Sequence, residues 1–128
     1  MQCAGKYSFK INFITMALII KIVTPRDLLS LIYKGIDEKK ITTWSYEEYN
    51  SIKFFTHTPP QWAKKAWFKP SLLDRELKFG IFKAGEQPVS KEVYGIYHGK
   101  FSEMLLTHFD MSFTLAKATA MPVPPDGI

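Results

Sequence analysis

Cysteine is almost missing from this chain: Cys3 stands alone among 128 residues. A single thiol excludes an internal disulfide framework and any zinc site built on cysteines. Histidine is scarce as well. His57, His98 and His108 form no His-x-x-x-His or His-Glu-x-x-His pair, and no clustered carboxylates accompany them. No metal and no cofactor is therefore expected. The seven glycines build neither a phosphate-cradling loop nor a dinucleotide fingerprint. No apolar run reaches the roughly 20 residues that a membrane span requires, since the run from Ile11 to Ile20 ends at Lys21. Repeats, low-complexity tracts and interdomain linkers are absent too.

What is present has the proportions of one ordinary domain. The length suffices for a real core, and aromatic residues make up 15% of the chain. The formal net charge of +5 permits binding to nucleic acid or an anionic surface without requiring it. A lone cysteine fits a reducing compartment, and a cytoplasmic location is expected. Lys6 and Lys10 ahead of the first apolar run resemble the start of a secretory signal, but no small-residue cleavage pattern follows. Residues 1–15 are read as a disordered or upstream extension before a natural start at Met16. Residues 16–121 then form a single α+β domain, and 122–128, with three prolines, a mobile tail.

Hydropathy patterning outlines the elements. Residues 17–23 are β-branched and apolar, as a buried strand is. Thr24, Pro25 and Asp27 punctuate a helix start, and Leu28, Leu29, Leu31, Ile32 and Ile36 give that helix one apolar stripe ending near Gly35. Residues 41–46 and 52–56 read as a hairpin with a turn over 47–51, although that turn lacks an Asn-Gly signal. Thr58 and Gln61 have capping-box spacing around two prolines, which predicts a short helix over 59–67. Residues 77–83 suggest a further strand, paired near Phe68.

The clearest element is a long helix opened by Ser90, with Val93, Ile96, Tyr97, Phe101, Met104, Leu105 and His108 on its stripe. Gly95 and Gly99 weigh against it, at roughly 1 kcal/mol each. They mark a close-packed flank, the floor of a ligand pocket, or a strand-to-helix break; the stripe favours the continuous helix. Residues 112–120 alternate like a last strand. The order of elements predicts a two-layer α+β fold: a mainly antiparallel sheet of about five strands, with an N-terminal and a long C-terminal helix on one face.

The candidate site lies between the hairpin and the long helix. Trp62 and Trp67 interleave with Lys64 and Lys65, and His57 precedes them beside a proline-rich turn. Aromatic anchors carry disproportionate interface energy when exposed. His57, Trp62, Lys64, Lys65 and Trp67, with Trp44 and Tyr46 nearby, are read as the binding surface of a non-enzymatic module whose partner is a protein. The same ingredients, rings for bases and lysines for phosphates, also describe a single-stranded nucleic-acid surface over 57–69, the less favoured reading. A third is a small histidine-dependent hydrolase, with His57 or His98 beside Glu103 or Asp110. His108 is read as a core-edge residue.

Overall fold

The computed structural model describes residues 17–119. Cys3, the signal-like stretch, the start at Met16 and the proline-rich tail lie outside the described residues. The elements are β1 (Ala17–Lys21), α1 (Pro25–Asp37), β2 (Trp44–Tyr49), β3 (Ile52–His57), β4 (Ala66–Leu73), β5 (Glu76–Lys83), α2 (Lys91–Phe109) and β6 (Leu115–Ala118). The six strands form one antiparallel sheet in the order β2-β3-β4-β5-β1-β6. The expected α+β architecture is present, with one strand more than the sequence suggested. Among the described residues no helix is long and apolar enough to cross a membrane.

Both helices lie on the same side of the sheet. Phe55 of β3 stacks on Tyr33 of α1 at 5.1 Å between ring centroids, and also meets Phe101 of α2 at 5.6 Å. Phe101 is the hub, with Trp44 and Phe79 each 4.7 Å away and Phe68 at 5.1 Å. Leu18 and Ile20 of β1, Leu77, Phe79 and Ile81 of β5, and Leu28 and Ile32 of α1 complete this core. Alternation along each strand sends every second side chain there.

α2 runs unbroken through both glycines. The Ser90 hydroxyl accepts the Val93 N–H at 3.1 Å, a side-chain N-cap. Its buried stripe is Tyr94, Tyr97, His98, Phe101, Met104 and Leu105, rotated slightly from the expected one. His108 accordingly sits exposed in the last turn rather than at the core edge. A Cβ at Gly95 or Gly99 would meet nothing within 4 Å, so that flank is neither a packing groove nor a pocket floor among the described residues. Gly35 is different. It is buried inside the last turn of α1, and a Cβ there would lie 2.8 Å from Ile41 Cδ1. The left-handed residue that ends α1 is Lys39, at φ 64°.

Two local expectations fail. Strand β2 extends to Tyr49, and the hairpin turns on Asn50-Ser51 alone, both with positive φ, the conformation of a two-residue type I′ turn. The predicted helix over 59–67 is instead a set of turns up to Lys65, followed by β4 from Ala66. The Thr58 hydroxyl donates to Thr42 O at 2.8 Å, and the Thr58 N–H to Thr43 O at 2.9 Å. Its capping potential is thereby taken up in tying the turn to the approach of β2. Pro70 is accommodated within β4 because the pairing with β3 is confined to Phe55–Phe68, leaving no ladder bond on that side for its missing N–H.

Candidate functional site

The residues singled out from the sequence fall into separate environments. His57 is 4% exposed. Its ring stacks on Trp44 at 4.6 Å, and Nδ1 donates to Thr43 O at 2.7 Å. Burial pushes its pKa below the usual histidine range, against the smaller opposing effect of that hydrogen bond. Trp62 is half-buried against the core, and its carbonyl accepts the Tyr97 hydroxyl. Lys64 has a left-handed backbone, φ 58°, donates its N–H to Thr56 Oγ1 and pairs with Glu47 at 3.1 Å. Lys65 is exposed just before β4. Thr56 Oγ1 also donates to the Ala66 carbonyl and meets Tyr97 OH, both at 3.0 Å. A buried polar network therefore holds this turn in place. Trp44 is fully buried, and Tyr46 hydrogen-bonds Asp37 beside α1.

Trp67 faces the other way. Its neighbours Ala66 and Phe68 are fully buried beneath the helices, so alternation directs Trp67 to the side of the sheet that carries no helix. There it is paired across the strands with Phe82. Phe54, beside buried Phe55, lies 6.4 Å from Phe82 in an edge-to-face arrangement. With Tyr49 these rings line a groove of about 470 Å³, bordered by Glu47, Glu48, Lys83 and Gly85. Phe82 is 43% exposed and Tyr49 70%.

No family model, curated protein or solved structure matches the chain.

Beyond the rings this face carries lysines, with Leu73 and Leu115 exposed among them. Lys69, next after buried Phe68, and Lys78, between buried Leu77 and Phe79, project to the open side. Ile19 of β1 is paired with Lys78 on one side and Lys117 of β6 on the other. Lys21 forms an ion pair with Glu76. The Lys21 hydrogen bond, reinforced by charge from Lys21, Lys78 and Lys117, holds the Glu76 carboxyl below the usual range. Three lysines thus surround one carboxylate on the open face, and Lys69 stands further along it, opposite Gly80.

The histidines have other occupations. His98 Nδ1 donates to Tyr94 O at 2.8 Å within α2, its ring stacks on Tyr94, and its Nε2 is buried without a hydrogen-bond partner. Desolvation lowers its pKa, partly offset by the bond to Tyr94. Glu103 instead pairs with Lys100. Among the described residues no three His, Cys, Asp or Glu side chains group as metal ligands.

Tyr49, Phe54 and Phe82 were not singled out in the sequence, yet a signal for Phe54 and Phe82 exists there. Phe54-Phe55, Trp67-Phe68 and Ile81-Phe82 are apolar doublets within strands. In a sheet covered on one face only, each doublet must place one member in the open.

Proposed function

We propose that the protein is a non-catalytic binding module whose ligand is met by the open face of the sheet. The observation that carries this reading is the aromatic groove: Tyr49, Phe54, Trp67 and Phe82 stand on the side opposite both helices, where the core has no use for them. Large contiguous exposed apolar patches are uncommon on monomeric proteins and mark interaction surfaces, and rigid aromatic side chains anchor such surfaces at low entropic cost. Of the five residues named from the sequence, Trp67 stays at the centre of the proposal. Lys64 stands at its margin through Glu47, while His57 and Trp62 support the fold beneath it.

The test is site-specific photo-crosslinking in cells. A photoreactive phenylalanine analogue in place of Phe82 is expected to give adducts that disappear when Trp67→Ala is added. The same analogue at Leu106, exposed on the outer side of α2, is expected to give none. Adducts at Leu106 and not at Phe82 would move the site to the helical side and reject the proposal.

A further inference from the structure

Resting on the open face as the ligand site, we infer that its ligand is a single-stranded nucleic acid, with bases stacked on Trp67, Phe82 and Phe54 and phosphates met by Lys69, Lys78 and Lys117. Rings and cations lie on one continuous surface in adjacent zones. Phe82 and Lys78 are both on β5, four residues and about 13 Å apart. Lys78, Ile19 and Lys117 form a row across three neighbouring strands, about 10 Å wide. A chain laid diagonally over this surface would pass from rings to lysines.

Charge separates this ligand from the alternatives. On the open side, Lys21, Lys69, Lys78 and Lys117 are opposed by Glu76, itself tied to Lys21. Beside the rings, Glu47 pairs with Lys64 at 3.1 Å, and the second carboxylate there, Glu48, shares the groove rim with Lys83. A second copy of this chain docked face to face would set lysines against lysines. An anionic partner is complementary, and one with flat apolar groups between its charges suits the rings as well. Nucleic acid has that chemistry, and it must be single-stranded, because stacking on protein rings requires bases freed from a duplex. A broad flat sheet also cannot enter a duplex groove, which admits a helix or a two-stranded ribbon.

Fluorescence anisotropy of the full chain with labelled oligo(dT) and oligo(rU) across a salt series tests the inference. A complex is expected whose log K falls with log salt at a slope of about −2 to −3, from three or four phosphate contacts. Lys69→Gln and Lys78→Gln are each expected to flatten the slope by about 0.7. Trp67→Ala and Phe82→Ala should each weaken binding by roughly tenfold or more at unchanged slope, and Trp67→Phe should restore most of the loss. Thermal melts of each variant verify that it is folded. Absence of a salt-sensitive complex overturns the inference. So does a complex that ignores the ring substitutions, or one that heparin, which has no bases, matches in affinity. Crosslinks from position 82 that resist nuclease and yield to protease would also overturn it, while leaving the open face as the site. Failure of that face to crosslink at all would remove both.

Discussion

The two faces of one sheet use similar residues for opposite ends. Under the helices, Trp44, Phe55, Phe68, Phe79 and Phe101 are sealed from solvent and pack edge to face or tilted around one another. On the far side, Phe54, Trp67 and Phe82 have comparable ring chemistry and stay partly in water. Their neighbours differ. The covered rings touch aliphatic residues and other rings, whereas the open ones border lysines and glutamates. A ring's identity therefore says little about its role until the pleat assigns it a side.

The largest expected effect comes from cutting the same kind of ring on the two faces. Phe101→Ala or Trp44→Ala should lose about 3–5 kcal/mol in urea unfolding. Phe82→Ala and Trp67→Ala should lose less, about 1–2 kcal/mol, because both rings keep part of their area in water. Equal losses on both sides would erase the distinction between the covered and the open face. Next in size, Gly95→Ala and Gly99→Ala should each raise stability by about 1 kcal/mol, since their Cβ positions are open. A loss in either would mean that this flank of α2 is packed and not open. Smaller again, Ser51→Gly should add a few tenths to about 1 kcal/mol by relieving a left-handed serine in the β2–β3 turn. The binding proposed for the open face should not change.

The smallest effect is a slope in pH, and it reads the two faces separately. His57 and His98, on the covered side, have pKa values depressed chiefly by burial. Unfolding lets each take up a proton at about pH 6.5, where the folded form resists it. Their contribution is complete above that pH and declines as pH falls toward the depressed folded values. Glu76, on the open side, behaves as a stabilised carboxylate. Its contribution is present above the ordinary glutamate pKa and is lost as pH falls through its lowered folded value. His57→Asn should flatten the decline that begins near pH 6.5, and Glu76→Gln should alter only the more acidic limb. Urea midpoints measured across the acid range distinguish the two.

The long helix was legible because its signals are local: a serine cap, a stripe at helical spacing, and no proline inside. The first helix was legible from its stripe and from Pro25 in its first turn, although Thr24 makes no side-chain cap bond there. The segment from Thr58 to Trp67 was misread because its cap spacing and prolines serve a tight connection instead, and the bonds that show this reach back to Thr42 and Thr43. The sequence groups Trp67 with His57 and Trp62, yet the fold turns those two inward and Trp67 to the open side. Phe54, Phe82 and the lysine row come from strands distant in sequence, so only the register brings them together.

The place of β1 in the sheet has a kinetic consequence. It lies between β5 and β6, pairing Ala17 with Gly80 and Leu18 with Ala118. The hairpins β2–β3 and β4–β5 can close early, from residues close together on the chain. β1, by contrast, leaves the ribosome before either of its partners and waits with Leu18 and Ile20 unpaired until much of the chain has followed. Loops of that length close slowly, and an apolar strand without neighbours is prone to pairing with other chains. The same interior position that secures β1 on both sides in the finished sheet makes it the strand that waits longest for its partners during synthesis.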